Sequence, residues 1–290
     1  MIEFPGREEG EEAMGVRGGC VQRGGRGVGK GRVACLAAVG MRLAAVGTCL
    51  AVGNAAWGAE HFVLEKDRQQ VRVSGRVVVE AADGGVLIED RAGRMWTAQP
   101  DEILEREQDR LPYVPLDADQ LAASLLDQLP DGFQVHTTAH YVICYNTSTA
   151  YAEWCGALFE RLFRAFHNFW DRRGMELKQP TQPLVAIVFS SAQAYRQYAA
   201  DDLGTSVDSI VGYYNLMTNR VAMYDLTGAQ AVASLNGRVR KSVEINRVLS
   251  RPEAASLVAT IIHEATHQIA FNCGMQTRLA DIPIWVSEGI

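Results

Sequence analysis

The chain has 290 residues, a length that fits one large domain or two modest ones. Hydrophobic residues make up 48% of it and charged residues 21%, which is ordinary for a globular protein and excludes a chain that is disordered or coiled-coil throughout. The formal net charge is −6. Because binding to phosphates needs a surplus of Lys and Arg, we expect no nucleic-acid partner.

Residues 1–59 differ in composition from the rest of the chain. Residues 1–32 are rich in Gly, Glu and Arg and lack apolar periodicity, which predicts disorder. From Met41 onward, one positive charge at Arg42 precedes a short apolar core and then small residues up to Ala59, the pattern of a secretory signal peptide. We therefore expect Met41 to be the true start and the mature protein to be periplasmic, cell-surface or secreted. The alternative is an uncleaved anchor, and in either case the membrane is a partner only through this segment.

Residues 60–115 form the first predicted module. Between Phe62 and about Ala98, short runs of apolar and β-branched residues alternate with polar ones, and turn residues at 83–85 and 92–93 separate the runs. This pattern predicts a small antiparallel β module, whose role is either packing or docking to a partner.

Residues 116–290 alternate between helical and strand patterns. Helices are predicted over about 118–128, 149–173 and 191–200, strands over 140–145 and 184–189, and a hairpin over 211–224. This order predicts an α+β fold in which a twisted mixed sheet is backed by helices. Val221–Asp225 is the predicted free edge of that sheet, where an extended peptide could pair as an added strand.

Removal of the signal segment leaves Cys144, Cys155 and Cys273. Three cysteines cannot all pair within one chain, so the sequence is compatible with one disulfide and a free thiol or with three buried thiols. The chain has no Cys-x-x-Cys pair, and we expect no zinc-thiolate site.

The sequence His-Glu-Ala-Thr-His at residues 263–267 is the strongest chemical signal in the chain. Apolar residues recur around it at helical spacing and predict a helix from about residue 251 to residue 272. We expect a capping box formed by Ser250 and Glu253 at its start and a stop at Gly274.

Residues four apart lie on the same face of a helix, so His263 and His267 can reach one metal ion. Glu264 would then lie beside the metal, where a carboxylate can take a proton from zinc-bound water. A catalytic zinc site needs a third protein ligand. The candidate is Glu288, in a segment that reads as the first turn of a further helix. A His, His, Glu set of this kind predicts one Zn²⁺ ion and peptide hydrolysis.

His136 and His140 are also four residues apart. They lie at the entry to a predicted strand, where this spacing does not bring two imidazoles together as it does on a helix. We therefore do not predict a second metal site there.

A family resemblance is carried by the run from His263 to Gly274 together with Arg278, Asp281, Pro283 and the Trp-Val-Ser-Glu-Gly segment at 285–289. These residues resemble the gluzincin-type bacterial family called domain of unknown function 1570, densely over residues 263–289 and more loosely back to about residue 130. The resemblance implies a thermolysin-like fold whose zincin-like upper subdomain is a mixed twisted sheet with the His-Glu-x-x-His helix. It also implies zinc ligation by His263, His267 and Glu288 and a general base at Glu264, but no particular substrate.

These features together predict an exported zinc metallopeptidase that acts on a peptide or protein substrate. The alternative is an inactive zincin-like scaffold that serves as a cell-surface or binding module. Because Ile290 follows Glu288 so closely, we expect the chain to be truncated, with the oxyanion-stabilising residues of such enzymes lying beyond it. Arg278 and Asp281 are expected either to orient a zinc-bound imidazole or to form a loop salt bridge.

Overall fold

The computed structural model of the protein describes residues 58–228 and 242–288, all of which belong to one compact unit, Gly53–Ile290. The predicted signal segment and the predicted start at Met41 lie outside the described residues. Within the described ranges, no helix is both long enough and apolar enough to cross a membrane.

Strands and helices follow one another along the chain in an α+β arrangement, as predicted. The strands are β1 Gly58–Lys66, β2 Gln69–Glu80, β3 Val86–Asp90, β4 Met95–Ala98, β5 Ile103–Pro112, β6 Gln134–Thr137, β7 Tyr141–Tyr145, β8 Leu184–Phe189, β9 Gly212–Asn215 and β10 Arg220–Tyr224. The α-helices are α1 Ala118–Leu126, α2 Thr149–Asp171, α3 Ala192–Leu203, α4 Ser242–Leu249, α5 Pro252–Asn272 and α6 Ile284–Ser287.

The first five strands form an antiparallel sheet in the order β4-β3-β2-β1-β5. The predicted turns are confirmed, and Gly84 and Gly93 in them have φ values of +93° and +82°, which glycine adopts without strain. The sequence did not predict β5, because most of its residues are charged or polar and lie exposed on both faces. We refer to this sheet, residues 58–112, as the β module.

The second sheet is mixed, with the order β6-β7-β8-β10-β9. Strands β7, β8 and β10 run parallel to one another, while β6 and β9 pair antiparallel at the two edges. Successive residues of a strand point to opposite faces. Ile143 and Ala186 therefore pack with helices α2, α4 and α5, whereas Val142 and Val185 pack with α1 and α3.

The prediction that Val221–Asp225 forms a free sheet edge is wrong. Strand β10 lies between β8 and β9, and the edge on that side is β9. The physical reason is visible in the burial of Val221, Ala222 and Met223, which are at most 2% exposed, as expected of a strand covered on both faces.

Helix α5 carries the His-Glu-x-x-His motif and has nearly the predicted bounds. Its stop is confirmed, since Gly274 has a φ of +82° directly after the last turn. The predicted capping box is wrong: the N-cap is Arg251, which makes no side-chain cap. Ser250 instead donates its hydroxyl to the Asn246 carbonyl at 2.6 Å, because α4 ends just before it.

The three cysteines within the described ranges, Cys144, Cys155 and Cys273, are free and buried. Of the two arrangements compatible with the sequence, the structure therefore has three buried thiols. Burial raises the pKa of Cys144 to about 11, which keeps this side chain protonated and unreactive at neutral pH.

Candidate functional site

The structure brings His263, His267 and Glu288 together. The two histidines lie one turn apart on α5, and Glu288 follows α6 directly. The two imidazole Nε2 atoms are 3.0 Å apart, and the Glu288 carboxylate lies 3.2 Å from Nε2 of His263 and 3.7 Å from Nε2 of His267. One ligand atom from each residue lies within 4.8 Å of the other two. We call these three residues the candidate metal centre.

The donor set of the candidate metal centre fits zinc. At ligand distances near 2.05 Å, the ligand atoms of a tetrahedral zinc are about 3.4 Å apart. The distances of 3.0, 3.2 and 3.7 Å fall around this value. Two imidazoles and one carboxylate also leave a fourth position open, as catalytic zinc sites do.

Glu264 lies in the same cleft and is half-buried. Its Oε2 atom accepts a hydrogen bond of 2.9 Å from the backbone N–H of Tyr214 on the edge strand β9. Burial raises the pKa of Glu264, while the Tyr214 N–H and the neighbouring His263 oppose that shift. Among the described residues Oε1 has no hydrogen-bond partner, so one oxygen is held by the protein and the other remains available.

The environment of His267 favours its neutral form. Burial lowers its pKa, as does His263, whereas Glu288 acts in the opposite direction. Neutral imidazole is the form that binds metal ions, and a divalent cation would favour the deprotonated form further.

The candidate metal centre opens into a cleft of about 250 Å³. Besides its three residues and Glu264, the lining consists of Tyr214, Leu216, Phe271 and Ser287. The rings of Tyr214 and Phe271 are stacked with centroids 5.9 Å apart. One side of the cleft is therefore lined by imidazole and carboxylate groups, and the other side, formed by Tyr214, Leu216 and Phe271, is largely apolar. We call this second side the cleft wall.

A polar network that the sequence analysis missed fixes the β9–β10 turn on helix α5. Gln268, fully buried, donates to the carbonyls of Val185 at 3.0 Å and Asn219 at 2.9 Å. The side-chain amides of Asn219 and Asn272 bind each other reciprocally at 2.8 Å, and the Tyr214 hydroxyl donates to Asn219 Oδ1 at 2.8 Å. The available signal was a glutamine at a position of α5 that helical spacing places on the buried face.

Gly212 sets how closely β9 approaches α5. A Cβ atom at this position would lie 2.6 Å from Cδ1 of Ile261 and 2.9 Å from Cβ of Met223. We predict that Gly212→Ala pushes β9 away from α5 and lowers the free energy of unfolding by about 1–2 kcal/mol, measured by urea denaturation. Adding Ile261→Val removes the Cδ1 methyl group and should recover part of this loss relative to Ile261→Val alone. A Gly212→Ala chain as stable as the parent would contradict the predicted contact.

Arg278 and Asp281, the remaining candidates from the sequence, lie outside the candidate metal centre, as do His136 and His140, where no site was predicted. Arg278 does not orient an imidazole: its guanidinium pairs with Glu89 of the β module at 2.7 Å. Asp281 is exposed, and the structure gives it no ion pair or hydrogen bond with a described residue. His140 lies next to Glu160 of α2, with 2.9 Å between Nδ1 and Oε2, and not with His136.

The fold and the site define an α+β protein with a candidate metal centre of two histidines and one glutamate. Residues 257–290 match the family model described as "Protein of unknown function (DUF1570)". This matched segment contains His263, Glu264, His267 and Glu288 and excludes the β module. No curated protein matches the chain, and no solved structure does.

Proposed function

We propose that this chain is an exported, zinc-dependent metallopeptidase of zincin-like fold that hydrolyses bonds in a peptide or protein substrate. The observation that carries the proposal is the convergence of His263, His267 and Glu288 to within 4.8 Å of one another in a cleft that also contains Glu264. The match of residues 257–290 to a family model supports the view that these four residues belong to one sequence unit.

The proposed chemistry assigns a separate task to each residue. His263, His267 and Glu288 would hold one zinc ion, which when bound lowers the pKa of water and polarises a peptide carbonyl. Glu264 takes a proton from the attacking water and delivers it to the leaving amine, so that a C–O bond forms and the C–N bond breaks. The Tyr214 N–H holds Oε2 of Glu264 and thereby limits the orientations of the carboxylate.

The substrate is proposed to lie along β9. This strand is the edge of the mixed sheet, and the Tyr214 N–H points away from β10 toward Glu264. An extended peptide can add to such an edge as a further strand, with side chains alternating between the cleft wall and solvent. The edge predicted from the sequence is thus replaced by Gly212–Asn215.

The test of the proposal is the zinc content of the purified chain together with cleavage of a peptide library. We expect about one zinc ion per chain and hydrolysis that a zinc chelator abolishes. His263→Ala should lose both the zinc and the hydrolysis. His61→Ala is the matched control, because His61 lies on β1 and pairs with Ser74 and Asp109 in the β module.

Each outcome has a separate meaning for the proposal. A folded chain without zinc, after incubation with the metal, would refute the metal centre. Zinc at full content in the absence of any peptide cleavage would leave a zinc-binding scaffold and refute the peptidase. Full zinc content in a folded His263→Ala chain would show that the metal is bound elsewhere.

A further inference from the structure

Arg278 makes a buried contact between two parts of the fold. It lies in the loop between α5 and α6 and is 6% exposed. Its Nη2 atom donates to Oε1 of Glu89 on β3 at 2.7 Å, and its Nη1 atom donates to the carbonyls of Gly93 at 2.8 Å and Leu216 at 3.3 Å. Glu89 and Gly93 belong to the β3–β4 hairpin, whereas Leu216 belongs to the β9–β10 turn and lines the cleft.

A backbone hydrogen bond joins the same two hairpins. The N–H of Met95, the first residue of β4, donates to the carbonyl of Met217 at 2.7 Å. The β3–β4 hairpin of the β module therefore holds the β9–β10 turn at two successive residues, Leu216 through Arg278 and Met217 through Met95. Since the cleft wall includes Tyr214 and Leu216, the β module supports one side of the candidate site.

The chemistry of arginine explains why this position needs that residue. A guanidinium presents several N–H donors in a rigid planar fork, so it can bind a carboxylate and two carbonyls at once, which a lysine ammonium matches poorly. Glu89 also pairs with Arg76, with 2.5 Å between the two charged groups, and is itself buried. Without Arg278, Glu89 would keep only Arg76 as a charged partner and the carbonyls of Gly93 and Leu216 would lose a donor, which favours local opening.

We propose, building on the proposed function above, that Arg278 is a positioning residue and that the β module is a structural part of the substrate cleft. Arg278 clamps the β9–β10 turn to the β3–β4 hairpin. In this way it fixes the cleft wall, and through Tyr214 the strand that would receive the substrate. The three residues of the candidate metal centre are carried by α5 and the end of α6 and are not part of this clamp.

Hydrogen exchange of the metal-free chain tests the clamp without reference to activity. In Arg278→Ala, we expect the backbone amides of residues 212–217 to exchange about tenfold faster than in the parent, because their local opening is no longer resisted by the clamp. Arg278→Lys should be intermediate, as it keeps the charge without the fork. The amides of β7 should be unchanged, which shows that the fold as a whole is intact.

Arg106→Ala is the matched control. Arg106 also lies in the β module, where it pairs with Glu60 at 2.6 Å and Glu80 at 3.0 Å, and among the described residues it forms no hydrogen bond or ion pair with residues 212–217. Its loss should leave exchange at residues 212–217 unchanged. If Arg278→Ala does not fold, Glu89→Gln replaces it, and a smaller acceleration is expected, because the guanidinium loses its charged partner but keeps its bonds to the Gly93 and Leu216 carbonyls. Unchanged exchange at residues 212–217 in a folded Arg278→Ala or Glu89→Gln chain overturns the proposal.

Kinetics separate positioning from the proposed chemistry. For a peptide that the parent cleaves, Arg278→Lys should raise KM about tenfold, with kcat within about twofold and zinc content unchanged, since ground-state contacts with the cleft wall are what it disturbs. Loss of zinc instead would show an effect on the ligands and contradict a role at the wall. If the parent cleaves no peptide, the proposed function fails, while hydrogen exchange still decides whether Arg278 holds the turn.

Discussion

Glu264→Gln should leave about one zinc ion per chain and reduce kcat/KM for peptide hydrolysis about a thousandfold. The amide has nearly the shape of the carboxylate and can still face the Tyr214 N–H through its oxygen, so the local packing is retained. What it lacks is the ability to accept a proton from water. None of the three residues of the candidate metal centre is changed, and the metal should therefore remain bound.

The measurement for Glu264→Gln combines elemental analysis, a melting curve and steady-state kinetics on one preparation. Glu153→Gln is the matched control, because Glu153 is an exposed residue of the long helix α2 and forms no ion pair or hydrogen bond with a described residue. It should alter neither zinc content nor rate. Full activity in Glu264→Gln would rule out this residue as the base and direct attention to another group in the cleft.

Much of the fold could be predicted because its signals are local. The apolar periodicity of α5 and the run of residues in β8 depend only on neighbours in sequence, and both elements have nearly the predicted bounds. The sequence predictions were wrong where a residue had two possible partners, and incomplete where a strand lacked an apolar pattern. Ser250 is a good N-cap residue by type, yet its hydroxyl binds the preceding helix. A strand in which most residues are charged or polar, such as β5, gives no alternation to detect.

In the candidate site, too, local features could be predicted from the sequence, whereas contacts between distant residues could not. The spacing of His263 and His267 on one helix face is a local property, and the sequence was sufficient to predict that they meet. The pairing of Arg278 with Glu89 joins residues almost 190 positions apart, and nothing in the local pattern of either indicates the other. The same holds for the hydrogen bond between Tyr214 and Glu264, which depends on how β9 packs against α5.

Gln268→Met should lower the free energy of unfolding by about 2–3 kcal/mol, because the carbonyls of Val185 and Asn219 lose a buried donor. Methionine is similar in length and flexibility to glutamine, so the substitution removes hydrogen bonds without opening a large cavity. For a chain of this size we expect the melting temperature to fall by about 5–10 °C.

Gln197→Met is the matched control for this prediction, since Gln197 is exposed on α3 and forms no hydrogen bond with a described residue. Its melting temperature should stay within about 1 °C of the parent, as expected for an exposed substitution. If Gln268→Met had the same melting temperature as the control, the carbonyls of Val185 and Asn219 would have other donors. The hydrogen bonds of Gln268 would then not be what stabilises the β9–β10 turn. Gln268 directly follows His267, a proposed zinc ligand, and its side chain binds helix α5 to the β9–β10 turn. The stability of this contact therefore also matters for the proposed chemistry.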